Sequence, residues 1–192
     1  MRPYPYYETR PVSTLRDVIS WPASRTPEKD AFRVRIDRNH YKGISWKQFE
    51  SDVNALGTAL CRRGLADAHI CVIGENSYEW VLVYMAVLCG AGVIVPLDRD
   101  LPAEKLAEQM RFSDATAVFF SKTYEAKMQE LAPSLPEITL FASTNGEETF
   151  GVTLGALIEE GRALLEADVY KRQAYGCGGR SKRRCSACRQ TA

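Results

Sequence analysis

From Ile70 onward, four short apolar runs alternate with amphipathic stretches, and this alternation constrains the fold more than any other feature. The runs are Ile70–Ile73, Val93–Val95, Ala117–Phe120 and Ile138–Phe141. Each is too short for a helix and is followed by a segment with apolar residues at three- and four-residue spacing. Strands joined through helical connections of about ten residues or more run parallel, because a tight hairpin cannot reverse the chain that far. The fold class expected is α/β: a partial, open, mostly parallel sheet flanked by helices.

The punctuation between runs supports this reading. Trp80 through Leu97 carries no charge over 18 residues, the lower margin of a bilayer span. Gly90, Gly92 and Pro96 interrupt it, dividing a helix-like part, Trp80–Cys89, from the β-branched strand. A buried helix followed by a buried strand is expected, and no transmembrane segment. Ser77 is placed to cap the helix, and Gly90 to stop it. Leu101-Pro102-Ala103-Glu104 opens the next helix with proline in its first turn. Further helices are expected over Tyr124–Leu131 and Leu154–Leu165, with a turn at Ser143-Thr144-Asn145-Gly146.

Ahead of this region the pattern changes. Leu15, Val18 and Ile19 mark a short helix over 14–21 that Pro22 should kink or end. Phe32, Val34 and Ile36 alternate with Arg33 and Arg35, and Asp37-Arg38-Asn39-His40 offers turn chemistry before Tyr41–Ile44. That is a small β-hairpin. Ser45 and Gln48 have capping-box spacing, Trp46, Phe49, Val53, Leu56 and Leu60 recur on one helical face, and Gly64 stands at the left-handed C-cap position.

Charge separates the chain into two parts. The whole has 25 Lys and Arg against 24 Asp and Glu, a net charge of +1. Seven basic residues and no acidic one lie in 169–192, together with Cys177, Cys185 and Cys188. Residues 1–168 are therefore acidic on balance. The basic Cys/Gly/Arg-rich tail has little to pack and is expected to be disordered or non-native. Cys185-Ser186-Ala187-Cys188 supplies only half of a zinc site, with Cys177 as a third thiol and no nearby histidine. Lys182-Arg183-Arg184 lacks interleaved aromatics or a helical face, so no nucleic-acid partner is expected. Cys61, Cys71 and Cys89 sit in apolar surroundings, and the opening Met1–Tyr7 has no apolar core of a secretion signal. A reduced, cytoplasmic setting is the simplest reading.

Most catalytic signatures are missing. The sequence holds no Gly-x-Ser-x-Gly, no His-Glu-x-x-His and no Gly-x-x-x-x-Gly-Lys. His40 falls in a turn and His69 opens a strand, both read as ordinary hydrogen-bonded histidines. Gly74-Glu75-Asn76 follows a strand but lacks further glycines. Gly90-Ala91-Gly92 precedes its strand and reads as a helix stop with close helix-to-sheet packing. Asp98 and Asp100 lie just past a strand end and read as turn residues, and Glu75 and Glu79 as favourable charges at a helix start. No catalytic, cofactor-binding or metal residue is assigned.

Three segments nevertheless carry a resemblance. Ile44-Ser45-Trp46-Lys47-Gln48-Phe49, Val72-Ile73-Gly74-Glu75-Asn76-Ser77-Tyr78-Glu79-Trp80 and Leu88–Asp98 resemble, in order and spacing, the opening segments of the AMP-forming acyl-CoA synthetases. These belong to the adenylate-forming superfamily, and the similarity is strongest to bacterial long-chain fatty acid CoA ligases. It covers about Leu15 to Leu165.

The resemblance implies a two-step reaction in the parent enzyme. A carboxylate attacks the α-phosphorus of Mg-ATP to give acyl-AMP and pyrophosphate, and the CoA thiol then displaces AMP. ATP, Mg and CoA are implied for the full-length family member, with a small carboxylic acid as substrate. The family's phosphate loop, adenine motifs and catalytic lysine have no counterpart here, so the expectation is an inactive N-terminal fragment over 1–168 followed by the tail at 169–192. Asp168–Gln173 resembles translated adapter sequence. Two alternatives stand beside this: a small non-enzymatic binding or regulatory protein with a basic tail, and a fragment of an amino-acid adenylation domain. Oligomeric state is not given by these residues.

Overall fold

The structure is a computed structural model that describes the backbone of residues 11–145 and 150–174 and the side chains through residue 167. A helix, α1 (Leu15–Arg25), leads into a two-stranded antiparallel sheet of β1 (Asp30–Arg35) and β2 (Tyr41–Ser45). Then follow α2 (Trp46–Arg62), β3 (Ala68–Ile73), α3 (Tyr78–Ala86), β4 (Gly92–Pro96), α4 (Ala103–Phe112), β5 (Ala115–Phe120), α5 (Glu125–Leu131), β6 (Leu140–Ser143), β7 (Val152–Thr153) and α6 (Leu154–Ala174). The main sheet has five parallel strands in the order β4-β3-β5-β6-β7. The α/β class and the separate hairpin are as expected. No helix among the described residues is long and apolar enough to cross a membrane.

Successive strand residues face opposite sides, so each strand feeds two cores. Ile70, Val72, Ala117, Phe119 and Ala142 pack on one face beneath α2, α3 and α6, which contribute Leu56, Leu60, Leu82, Val83 and Leu157. Cys71, Ile73, Val118 and Phe120 pack on the other beneath α4 and α5, against Leu106, Met110 and Met128. Covering both faces explains why the strands read as continuous apolar runs. The hairpin is fixed to the first core by Phe32, whose ring lies 4.8 Å from Phe49 and 5.4 Å from Tyr78, both edge-on.

Local signals act as the sequence predicts at most element ends. Ser45 Oγ accepts from Gln48 N at 3.2 Å and Ser77 Oγ from Trp80 N at 3.1 Å. Gly64 takes a φ of +80° at the end of α2, where Leu65 N donates to Leu60 O. Gly92 runs so close to β3 that a Cβ there would stand 2.2 Å from Ala68 O.

Several expectations need correction. Pro22 does not end α1; the helix continues to Arg25, and Thr26 N donates to Pro22 O at 2.8 Å. Proline lacks only its own amide, so the carbonyl side of the helix is free to propagate. Gln48 does not reach back to complete a capping box, because its amide donates to Asp52 Oδ1 at 2.8 Å. The helix of the uncharged run does not stop simply at Gly90: α3 gives way to a π-helical turn over Val87–Ala91, in which Gly90 has a φ of +127°. Pro102 stands just outside the first turn of α4, at the position before Ala103, where its carbonyl accepts from Leu106 N at 3.1 Å. The strand placed at Ile138–Phe141 is shifted to Leu140–Ser143, and a fifth strand, β7, was not foreseen. The last helix extends past Leu165 to Ala174. The basic tail, with Cys177, Cys185 and Cys188, otherwise lies outside the described residues.

β4 forms one edge of the sheet. Leu97 N donates inward to Val72 O at 2.9 Å, so by the alternation of a parallel strand the nitrogen of Pro96 faces the open side. That is where a residue without an N–H is tolerated.

Candidate functional site

The chain steps from β3 to β4 in one direction and then crosses back over β3 to lay down β5. The loops leaving β3 and β5 therefore diverge, and ligands of open α/β sheets collect at such a switch point, at the carboxyl ends of the strands. Gly74 and Glu75 stand on one side of this crevice and Ser121, Lys122 and Thr123 on the other. Ser121 N donates to Ile73 O at 3.1 Å, holding the two strand ends in register. A Cβ on Gly74 would lie 3.1 Å from Ser121 Cβ and 3.3 Å from its Oγ, so this glycine permits the close approach.

Glu75 is the electrostatic centre of the crevice. The Ser121 hydroxyl, then the residue's own backbone N–H, hold its carboxyl below the ordinary glutamate value; Thr123 and the Arg99 charge add to the effect, and slight burial opposes it. Ser121 is only 4% exposed, and its Oγ lies against Glu75 without completing a full hydrogen bond. Burial and then the Glu75 charge raise the neighbouring Tyr124 phenol above its ordinary value.

Neighbouring loops are tied to this centre. Tyr124 donates to Arg99 O at 3.3 Å, and Lys127, 5.6 Å from the Tyr124 ring centroid, donates to Leu101 O at 3.3 Å. The loop after β4 is thereby fastened to the start of α5. Lys122 N donates to Asn145 Oδ1 at 2.9 Å, joining the loops after β5 and β6. Four strand ends thus present Glu75, Arg99, Ser121, Thr123, Tyr124 and Asn145 along one edge, with acceptors and cations interleaved.

The residues weighed from sequence fall as follows. Asp98 and Asp100 form a local turn, Asp98 Oδ1 accepting from Asp100 N at 3.0 Å. His40 binds the Asp37 carboxylate within the hairpin turn, and His69 bonds Ser113 O. Glu79 lies in the first turn of α3, as read, whereas Glu75 faces the β5 loop. Ser121, Thr123, Tyr124 and Asn145 were not singled out. Their signal was position, since each follows a parallel strand, but locating the crevice required the strand order. Among the described residues, no three His, Cys, Asp or Glu side chains group as a metal site.

A parallel sheet covered on both faces, with polar strand-end loops at its switch point, defines an open α/β domain. Residues 19–155 match the family described as AMP-binding enzyme, and the chain belongs to that family. It is 26% identical over 182 residues to long-chain-fatty-acid CoA ligase 1 of Cavia porcellus, covering 90% of this chain and 25% of that protein. It is 24% identical over 158 residues to tyrocidine synthase 2 of Brevibacillus parabrevis, covering 82% of this chain and 4% of that protein. The fold is similar to a long-chain-fatty-acid-CoA ligase structure from Archaeoglobus fulgidus, with a TM-score of 0.66 and 18% identity over 82% of this chain and 31% of that one. The chain thus spans a quarter or less of these two curated relatives and under a third of that solved chain.

Proposed function

We propose that the chain serves as the N-terminal part of an acid-activating ligase, whose whole protein converts a fatty acid, ATP and CoA to acyl-CoA through acyl-AMP. The observation that carries this reading is the family match across 19–155, laid on a sheet whose switch point bears Glu75 and Ser121. In this reading the chain's own contribution is structural and positional. The parallel sheet fixes the strand-end loops, Gly74 brings two of them together, and Glu75 offers a charged acceptor beside Arg99 for hydrogen-bond donors of a bound substrate.

The phosphate-binding loop and catalytic lysine of the resembling enzymes are not found in these 192 residues, so residues 1–192 alone are expected to be inactive. The test is carboxylate-dependent ATP–pyrophosphate exchange. Purified 1–192 should give the blank rate, and exchange above blank would refute that expectation. The parent reading is tested on the longer protein, which should form acyl-CoA from a fatty acid and release AMP rather than ADP.

The similarity to tyrocidine synthase 2 favours a second reading, an amino-acid adenylation domain. The same exchange assay separates the two, since the longer protein would then respond to amino acids and not to fatty acids. A cytoplasmic setting is part of the proposal and is tested by cell fractionation.

A further inference from the structure

Charge is distributed unevenly along the described chain. Residues 12–47 carry eight basic side chains and four acidic ones, whereas residues 48–167 carry eight basic against eighteen acidic. The positive excess therefore sits on α1 and the hairpin. Arg25, Lys29, Arg35, Arg38 and Lys42 are exposed there and form no ion pair among the described residues. The acids of the same segment are already engaged. Asp17 accepts from Thr14 N at 2.9 Å, Asp30 pairs with Arg33, Asp37 pairs with His40, and Glu28 lies 3.9 Å from Lys47.

The same flank turns apolar side chains outward. α1 buries Ile19 and Ala23 and leaves Leu15 48%, Val18 44% and Trp21 37% exposed, at three-residue steps along its outer side. Val12 is exposed just ahead of the helix, and the Arg25 guanidinium lies 5.5 Å from the Trp21 ring centroid. In the hairpin Phe32 points into the core, so Arg33 and Arg35, with Tyr41 opposite Arg35, face away from it. Tyr41 and Ile36 are exposed as well. Only residues 26–29 separate α1 from β1, so the cations and the apolar groups share one flank of the molecule.

A helix that lies in a membrane interface has this make-up, with Leu and Trp on its outer face and Lys and Arg beside them. Lys and Arg cover apolar surface with their stems while the charged heads reach outward, and Trp favours headgroup depth. The exposed side chains stand out singly from a helix and a hairpin, and a fluid lipid surface needs none of the shape complementarity that a protein partner demands. The acidic remainder of the body is repelled by an anionic surface, which turns this flank toward it. We propose that α1 and the hairpin form a peripheral docking surface for an anionic phospholipid bilayer. Leu15, Val18 and Trp21 enter the headgroup region, and Arg25, Lys29 and Lys42 meet lipid phosphates. Nothing in this surface depends on the acid-activating reading.

Cosedimentation of the 192-residue chain with vesicles of equal parts phosphatidylserine and phosphatidylcholine tests the contact. Binding to phosphatidylcholine alone should be weaker by about tenfold or more, and added salt should weaken binding to the mixed vesicles. R25Q/K29Q/K42Q changes three exposed positions and should also cost about tenfold or more, since each cation at an anionic surface is worth about fivefold. Mixed vesicles with brominated acyl chains report insertion. They should quench part of the tryptophan fluorescence, and W21F should remove that part, because Trp46 and Trp80 pack against the first core. Phenylalanine keeps an aromatic ring at the position, so loss of fold is not the readout. K182Q/R183Q/R184Q controls for the basic tail and should leave the quenching of Trp21 in place. Equal binding to both vesicles, quenching that survives W21F, or quenching lost with the tail variant would each overturn the proposal. Failure to bind the mixed vesicles would do the same and leave an acidic protein as the partner to seek. The longer protein should be quenched likewise, and a Trp21 shielded there would assign this flank to the protein's own remainder instead of a bilayer.

Discussion

Arg162 in α6 donates to the Asp52 carboxylate in α2, across 110 residues of sequence. Asp52 is 6% exposed and also accepts from Tyr78 Oη at 2.7 Å and from Gln48 Nε2 at 2.8 Å. One buried carboxylate thus joins α2, α3 and α6. Replacing it strands three donors, whereas replacing Arg162 leaves Asp52 two partners. Asp52→Ala should cost about 3 kcal/mol of stability. Arg162→Ala should cost about 1 kcal/mol, because the guanidinium is partly solvated. Urea unfolding measures both, and equal costs would show that the carboxylate is not the hub.

Glycines 155 and 161 lie in the same helix and should respond with opposite sign. A Cβ on Gly161 would stand 1.8 Å from Ala55 O, so α6 and α2 must separate to admit it, whereas nothing lies within 4 Å of a Cβ on Gly155. Gly161→Ala should cost about 3 kcal/mol or more, as overpacking against a rigid backbone does. Gly155→Ala should add about 0.5–1 kcal/mol through helix propensity. Thermal melts of the two variants give the comparison.

Glu75 should titrate below an ordinary glutamate. Its carboxyl is lowered in the folded chain, so it contributes stability that is fully present above the unfolded value and is lost as pH falls through the folded value. Carboxyl NMR titration should show the lowered midpoint, and Ser121→Ala should move it back toward the ordinary range. An unchanged midpoint in that variant would remove Ser121 as the main cause.

Cys71 should be inert while the chain is folded. Burial raises its thiol to about 11, with a weak opposing contact to Ser113. Cys89 is also raised by burial, with Arg16 opposing. At pH 8 the Cys71 thiolate is then a fraction of about one in a thousand. Alkylation followed by peptide mass analysis should label Cys71 only on denaturation, and labelling of the folded chain at this position would contradict its placement.

Much of this architecture was readable because its causes are local. Ser45, Ser77 and Gly64 act through groups within five residues, and the apolar runs declare strands covered on both faces. What escaped depends on distant partners. β7 is two residues long, and its pairing with Ala142 and Ser143 leaves no periodicity to read. The Gln48 amide was assigned to the helix start, yet Asp52, one turn ahead, takes it. Glu75 was assigned to the dipole of α3, and only the crossing of β5 beside β3 brings Ser121 to it. Pro22 shows the limit of a local rule, since its cost in α1 is carried by a helix anchored through Arg16 to Asn54 Oδ1 and Cys89 O.

The outward nitrogen of Pro96 sets a direction for association. Of the backbone positions that β4 turns to the open side, Pro96 has no donor and Gly92 N is already given to Val87 O, which leaves the Ile94 amide. A foreign strand laid along this side would find acceptors and almost nothing to accept from. The uncharged sequence Gly92–Pro96 looks adhesive, yet its backbone is chemically one-handed. Recruitment of another chain into the sheet is accordingly disfavoured at β4 and left to the β7 side.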